Sequence, residues 1–164
     1  MPKTKSAPTA SVRPAPHCVL AGHIKRSELL NKFADLETEV TLLLDHLSVG
    51  YGNGSLGQKL KFLREYCSNL NDPKRLGKLV EDAADATEKR NAVVHAKLTG
   101  TNPKEGSQGW KFSTAGKGAA KPVIHLPNEL ASLDTKVRTL SNQFKQFREQ
   151  QQAQASPGGS NAKS

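Results

Sequence analysis

One short segment of the sequence combines residue types that can perform acid–base chemistry and bind a phosphate group. The segment reads Arg90-Asn91-Ala92-Val93-Val94-His95. Histidine titrates near neutral pH and can act as a general acid or base, whereas a guanidinium binds phosphate oxygens through paired hydrogen bonds. On a helix, Asn91 and His95 would lie one turn apart on the same side, so that the amide could orient the imidazole. Arg90, Asn91 and His95 are therefore the candidate catalytic residues.

The spacing of Arg90 and His95 restricts what one chain can do alone. At 3.6 residues per turn, the two positions are separated by about 140° around the helix axis. They share one patch only if the helix end loosens or if a second subunit supplies one of the two groups. A structural interpretation stays open beside the catalytic one. In it, Arg90 pairs with acids on its own or a neighbouring helix, and Asn91 and His95 hydrogen-bond to the following loop.

Four amphipathic segments of the sequence could position these residues. Cap residues, helix-breaking glycines and prolines, and apolar spacing set their expected limits: Ser27 to the turn at Gly50-Tyr51-Gly52, Ser55 to about Leu70, Asp72-Pro73 to about Lys97, and Pro127 to the glutamine run near residue 150. Because each apolar stripe must be buried against the others, the pattern predicts an all-α, antiparallel four-helix bundle.

The connection between the third and fourth helices is long for a loop without structure of its own. Its residues, 98–126, include two groups of apolar side chains, Trp110-Lys111-Phe112 and Val123-Ile124-His125-Leu126. A short hairpin or a packed loop is therefore expected between these helices.

Composition predicts one folded domain between two tails. Residues 1–22 hold five prolines or glycines and basic residues without an acid, and residues 151–164 read QQAQASPGGSNAKS. Both segments are expected to be disordered, which leaves residues 23–150 as the bundle. No apolar run approaches the roughly 20 residues that span a bilayer, and no secretory signal is recognised, so a cytoplasmic location without membrane contact is expected.

The charge balance predicts a polyanionic partner. The formal net charge is +9, and Lys and Arg that neutralise phosphates gain affinity by releasing counterions. The candidate RNA-binding residues are Lys59, Lys61 and Arg64 on the outer side of the second helix, with Lys89 and Lys97 near the candidate catalytic segment. A simpler interpretation is that the charge mainly keeps the protein soluble.

The segment Arg90-Asn91-Ala92-Val93-Val94-His95 resembles the Arg-x4-His motif of HEPN domains, small helical bundles that carry it late on a long helix. The resemblance implies RNA binding and metal-independent endoribonuclease activity of a toxin or defence type, in a homodimer that needs no cofactor and has a protein antitoxin or other partner. His95 would then act as general acid or base, Arg90 would stabilise charge on the scissile phosphate, and Asn91 would position both. Toxins of the group often have a tyrosine two residues after the histidine; Lys97 occupies that position here, so regulation through such a tyrosine is not expected.

A second function, of a different class, is a non-catalytic helical module for dimerisation or interaction. Aromatic residues make up only 5% of the chain, and both predicted tails carry basic residues that would add weak affinity for nucleic acid. The two hypotheses differ in whether Arg90 and His95 perform chemistry.

Overall fold

The structure is a computed structural model that describes residues 16–70, 72–94, 97–100, 111–113 and 127–155, with side chains in 20–70, 72–94 and 128–155. These residues form, in chain order, α1 (Pro16–His46), α2 (Leu56–Tyr66), a 3-10 turn (Cys67–Asn69), α3 (Pro73–Val94), β1 (Lys97–Gly100), β2 (Lys111–Ser113) and α4 (Pro127–Ala155). The helices pack around one core. The predicted all-α helical bundle is confirmed.

The predicted starts of α2 and α3 are confirmed by their capping contacts. The backbone N–H of Ser55 donates to Oε1 of Gln58 at 2.9 Å, which ties the cap residue to the first turn of α2. Oδ1 of Asp72 accepts a hydrogen bond from the N–H of Arg75 at 3.2 Å, satisfying an amide that has no intrahelical acceptor. Pro73 follows as the first residue of α3, where its missing N–H costs nothing.

The first helix begins earlier than the sequence pattern predicted. Ser27 lies inside α1 and not at an N-cap, because the helix starts at Pro16. Residues 16–22 are therefore helical and do not belong to a tail. Proline at a first helical position is favourable, and no further proline follows before the end of α1. Residues 1–15 lie outside the described part of the chain.

Two helix ends also differ from the prediction. The third helix was expected to reach Lys97, but it ends at Val94, and Lys97 is the first residue of β1. Val93 and Val94, the last two residues of α3, are β-branched and therefore weak helix formers. At the other end of the fold, α4 continues to Ala155, because glutamine and alanine are good helix formers. Residues 156–164 lie outside the described part.

A short antiparallel hairpin lies between α3 and α4, as predicted. Leu98 of β1 is opposite Phe112 of β2, and the register shifts between Leu98 and Gly100. The second strand thus includes part of the predicted apolar group around Phe112. The other group, residues 123–126, lies outside the described residues.

The core is formed by the apolar stripes that the helical spacing predicted. Phe144 and Phe147 of α4 are the largest fully buried side chains, and burying a side chain of this kind contributes about 1.5–3 kcal/mol. Five apolar residues at this helical spacing are only half-buried: Leu30, Leu47, Tyr66, Cys67 and Ala84. The other buried members of the core are Leu29, Phe33, Leu36, Val40, Leu43, Leu44, Leu56, Leu60, Leu63, Leu76, Leu79, Val80, Ala83, Ala86, Val93, Leu130, Leu133, Val137 and Leu140.

Polar contacts between α3 and α4 show that these two helices are antiparallel. Nη1 of Arg75, near the start of α3, donates to Oε1 of Gln150 at 2.5 Å. Further along α3, Asp85 pairs with Lys136 of α4 at 2.9 Å. Residue numbers rise on one helix as they fall on the other, so the end of α3 lies near the beginning of α4.

The first and fourth helices, by contrast, run in the same direction. Lys32 pairs with Asp134 at 2.6 Å, and Glu39 pairs with Arg148 at 3.0 Å. The link between α1 and α2 runs back along α1, because the first residues of α2 line the same cleft as Phe33. The N-terminal part of α1, the end of α3 and the start of α4 are thereby gathered at one end of the bundle.

Candidate functional site

Arg90 and Asn91 line a cleft where three helices meet. The cleft has a volume of about 240 Å³, which is below the roughly 300–1,000 Å³ of a pocket that encloses a small molecule. Its size suits a phosphate group or another small part of a larger ligand. Its walls come from α1 (Leu30, Phe33, Ala34, Glu37), from α2 and its cap (Ser55, Leu56, Gly57), and from α3 (Thr87, Arg90, Asn91).

Arg90 has no carboxylate partner among the described side chains. Its Nη1 donates to Oδ1 of Asn91 at 3.0 Å, and its buried Nε has no hydrogen-bond partner there. Arg148 also has an unbonded Nε, but its guanidinium is ion-paired with Glu39. An unsatisfied buried donor costs about 1–3 kcal/mol. The structural interpretation expected Arg90 to pair with an acid on its own or a neighbouring helix. No such acid partner is found in the described part of the chain.

The amide of Asn91 contacts Arg90 in the structure. It was predicted to orient His95, but His95 lies outside the described residues, so the predicted pair of Asn91 and His95 remains a prediction. Lys97 is described only as the first backbone position of β1. The structure thus brings two of the three candidate catalytic residues together on one cleft wall, next to the end of α3.

Lys59 has a different place from the one that was predicted. Its Nζ lies 2.9 Å from Oε1 of Glu37 and 3.0 Å from Oγ1 of Thr41, and 5.6 Å from the centre of the Tyr51 ring. The side chain is only 12% exposed. Lys59 therefore does not belong to the open face of α2, and its charge compensates Glu37, the one carboxylate among the described residues that line the cleft. Arg90 is left as the uncompensated charge there.

The other predicted RNA-binding residues with described side chains lie on exposed helix surfaces outside the cleft. Lys61 is 77% exposed and lies 4.0 Å from Glu65, and Arg64 is exposed on the same helix. Lys89 pairs with Asp85 on its own helix at 3.0 Å. The structure therefore does not gather these cations around Arg90, and they could only extend a binding surface from it.

The first turn of α2 forms the cleft wall that the sequence analysis overlooked. The leading N–H groups of any helix have no intrahelical acceptor and carry a partial positive charge. Gly57 leaves this turn uncovered, since a Cβ added there would meet only Oγ of Ser55, at 4.0 Å. The guanidinium of Arg90 and the start of α2 thus place positive potential on the same cleft. The sequence alone does not show that Arg90 and the first turn of α2 lie on the same cleft, because this depends on how α2 packs against α3.

Arg26 connects α1 to the end of the candidate catalytic helix. Its Nη1 donates to the main-chain oxygen of Val94, the last residue of α3, at 3.3 Å. A cation at a helix C-terminus interacts favourably with the helix dipole. The contact spans 68 residues of sequence, so no local pattern could have predicted it. It places the N-terminal part of α1 directly beside the segment that contains Arg90.

The net positive charge of the chain is not carried by the helices. Residues 16–94 and 127–155 contain 15 of the 24 Lys and Arg residues and 14 of the 15 Asp and Glu residues, for a net charge of +1. The remaining nine cations and one acid belong to residues 1–15, 95–126 and 156–164. The basic balance that suggested a polyanionic partner therefore originates outside the helical segments.

Comparisons with known proteins give no match: no protein-family model fits the chain, and neither curated proteins nor solved structures yield a similar one. In the described residues, no three His, Cys, Asp or Glu side chains are grouped so that they could hold a metal ion. None of the described helices is long and apolar enough to cross a membrane. The functional argument therefore depends on the geometry of the cleft and on the motif itself.

Proposed function

We propose that this protein is a HEPN-like RNA-binding protein whose cleft at Arg90 receives a phosphate of the RNA backbone. The single observation that carries the proposal is the state of Arg90: a guanidinium in a cleft, without a carboxylate partner among the described side chains. A phosphate accepting hydrogen bonds from that guanidinium would supply the missing negative charge. Lys59 supports this role indirectly, because it neutralises Glu37, which would otherwise repel the phosphate.

The finer proposal is that the protein cleaves the RNA without a metal, as a homodimer. His95 would accept the proton of the 2′-hydroxyl as its oxygen attacks the scissile phosphorus, and a histidinium would return a proton to the departing 5′-oxygen. Arg90 would stabilise the charge that builds up on the phosphate oxygens. The products are a 2′,3′-cyclic phosphate and a 5′-hydroxyl, so the atoms balance without added water. The 140° separation of the two positions on one helix favours a contribution from a second chain.

The experiment is to incubate the purified protein with a mixed RNA in EDTA and to identify the new termini. We expect cleavage that produces 2′,3′-cyclic phosphates, and its loss in both His95→Ala and Arg90→Ala. Arg138→Ala is the matched control, because Arg138 is an exposed arginine of α4 that does not line the cleft. Equal cleavage by wild type and His95→Ala, or none by wild type, would reject the nuclease function. RNA binding without cleavage would leave the coarser proposal standing.

The charge distribution favours a second candidate function, a non-catalytic module that binds nucleic acid through residues 1–15, 95–126 and 156–164. Nine of the 24 cations fall there with a single acid, whereas the helices are almost neutral. In this case the bundle would serve for assembly, and the affinity would be sequence-independent and sensitive to salt.

Truncation distinguishes this candidate from the first. The deletion should end at residue 15, because α1 begins at Pro16, and it removes the three cations Lys3, Lys5 and Arg13. If these residues contact single-stranded RNA, the slope of log K against log salt should decrease by about 2. An unchanged affinity and slope would show that this segment does not contribute, and would leave the cleft as the stronger candidate.

A further inference from the structure

The aromatic side chains that solvent can reach are gathered around α2 in the described part of the chain. Three of the six described aromatic rings are phenylalanines buried in the core. The other three are Tyr51, in the link before α2, and Phe62 and Tyr66, on α2 itself. Phe62 and Tyr66 are four positions apart and therefore lie on the same side of the helix. One partly exposed ring is ordinary, but three at one short helix indicate a contact surface.

Basic side chains alternate with the rings along α2. Lys61, next to Phe62, is 77% exposed and lies 4.0 Å from Glu65, and Arg64 is exposed between the two rings of the helix. Aromatic rings between cations are typical of surfaces that bind single-stranded nucleic acid, because the rings stack on bases and the cations neutralise phosphates. Protein–protein interfaces, in contrast, are depleted in Lys and Glu, which both flank Phe62 here. The composition of this surface therefore favours a nucleic acid over a protein.

Phe62 lines an open groove beside α2, whose walls also include Tyr51, Gln58 and Lys61. The groove has a volume of about 500 Å³, within the range of pockets that hold a small molecule, so it has room for a nucleobase. The hydroxyl of Tyr51 donates to Oδ1 of Asp45 at 2.8 Å, and its ring lies 5.6 Å from Nζ of Lys59. Tyr51 is thus already held by contacts within the chain, which leaves Phe62 as the ring available for stacking.

The groove adjoins the cleft at Arg90 across the first turn of α2. Ser55 and Gly57 line the cleft, and Gln58 lines the groove. The N–H of Ser55 donates to Oε1 of Gln58 at 2.9 Å, so one hydrogen-bonded turn separates the two. Phe62 lies five residues beyond Gly57, which is about 7.5 Å along the helix axis. A strand with phosphates about 3.4 Å apart would reach from the cleft to Phe62 within about two or three nucleotides.

We infer that Phe62 stacks on a base of the RNA strand whose backbone phosphate lies in the cleft at Arg90. The inference rests on the proposed function, because it concerns the same strand. It also assigns Phe62 a role in specificity, since the faces of paired bases are covered by their neighbours and only an unpaired base can lie on the ring. Lys61 and Arg64 then neutralise the phosphates on either side of that base.

The test is the affinity of the full chain for a 2′-O-methyl oligoribonucleotide of about 10 nucleotides, which has no 2′-hydroxyl and therefore is not cleaved. Phe62→Leu keeps an apolar side chain without the ring face, so it should bind roughly tenfold more weakly than wild type. Phe62→Trp should bind at least as tightly as wild type, and the fluorescence of the new indole should be quenched by the oligonucleotide. Leu20→Ala is the control, since Leu20 is a 62% exposed leucine of α1 outside the groove, and it should bind as wild type does.

The dependence on salt and on strandedness separates this contact from the cleft. Stacking releases no counterion, so Phe62→Leu should keep the wild-type salt slope, whereas Arg90→Ala should reduce it by about 0.7. Affinity for a duplex of the same sequence should not change in Phe62→Leu. All variants should keep the wild-type circular dichroism spectrum.

Each failure has its own signature. Wild-type affinity of Phe62→Leu, in a protein whose binding Arg90→Ala weakens, would overturn the stacking contact and leave the proposed function standing. Equal weakening of single-strand and duplex binding by Phe62→Leu would overturn it as well. Weakening by Phe62→Leu without any effect of Arg90→Ala would support the stacking contact and reject the cleft as the phosphate site. A wild type that binds neither probe would overturn both.

Discussion

The ammonium of Lys59 lies 2.9 Å from Oε1 of Glu37, and Glu37 lines the same cleft as Arg90. This pair decides the electrostatics of the candidate site. Glu37 is the only acid among the described residues that line the cleft, and Lys59 neutralises it from a position that is almost shielded from water. In the proposed phosphate site, the guanidinium of Arg90 would therefore act on an incoming anion without a competing charge from the described residues of the cleft wall.

Substitution of Lys59 should affect stability more than substitution of its neighbour Lys61. Lys59→Ala removes an ion pair and a hydrogen bond that are mostly shielded from water, together with a contact to Tyr51. We expect a loss of about 1–2 kcal/mol in the free energy of unfolding. Lys61→Ala, at a 77% exposed side chain, should change it by less than about 0.5 kcal/mol. Urea unfolding followed by circular dichroism measures both. Equal effects would show that Lys59 has no structural role.

A carboxylate at Gly57 should weaken RNA binding without weakening the fold. The position has room for a side chain, and an acid in the first helical turn stabilises a helix by about 0.3–1 kcal/mol. Gly57→Asp would place a negative charge at the cleft edge, so we expect roughly tenfold weaker RNA binding. Gly57→Asn has nearly the same shape without the charge and should bind within about twofold of wild type. Fluorescence anisotropy with a labelled RNA measures both affinities. Indistinguishable affinities of the two variants would place the RNA elsewhere.

The contact between Asp85 of α3 and Lys136 of α4 should make the free energy of unfolding depend on pH under acidic conditions. A hydrogen bond from Lys136 lowers the pKa of Asp85 below its usual 3.8, with Lys89 contributing. The folded pKa is thus below the unfolded one, so the stabilisation is complete above about 3.8 and is lost as the pH falls through the folded value.

The variant Asp85→Asn tests this dependence. It should lower the free energy of unfolding at neutral pH by less than about 1 kcal/mol, because the pair is largely exposed. The difference from wild type should shrink as the pH falls below about 3.8. Asp35→Asn is the control, since Asp35 is exposed and makes no ion pair among the described residues. A difference that stays constant with pH would contradict the assignment.

The packing of α4 against the core depends on Phe144. This side chain is fully buried, and replacement of a buried phenylalanine by alanine typically costs about 3–5 kcal/mol through lost contacts and the cavity left behind. We therefore expect Phe144→Ala to unfold at much lower denaturant concentration than wild type. Phe62→Ala, at a 37% exposed phenylalanine of α2, should cost less than about 1.5 kcal/mol. Similar losses in both variants would show that α4 is not packed as described.

Local sequence patterns predicted much of the fold because they act within a few residues. The caps at Ser55 and Asp72 and the proline that opens α3 are such signals, and the structure confirms them. The start of α1 was missed because the sequence near Ser27 imitates an N-cap, whereas the residues before it can continue the helix equally well. The shared direction of α1 and α4 was beyond local patterns, because it depends on where the intervening links lead.

The site was predicted only in part, for a similar reason. Arg90 and Asn91 could be selected by residue type and spacing. The approach of Gly57 to that segment, and the pairing of Lys59 with Glu37, arise from contacts between helices that are distant in sequence. A periodicity argument placed Lys59 on the outer face of α2 with Lys61. It failed because α2 lies against α1 as well as α3, so a larger part of its surface is covered.

The central claim is tested most directly by the RNA affinity of Arg90→Ala compared with Arg138→Ala, measured by fluorescence anisotropy at several salt concentrations. Loss of a charged phosphate contact should weaken binding by roughly tenfold or more and reduce the salt slope by about 0.7 for single-stranded RNA. Arg138→Ala should bind as wild type does, and both variants should have wild-type circular dichroism spectra. If Arg90→Ala binds RNA with the affinity and salt slope of wild type, the cleft at Arg90 is not the RNA site.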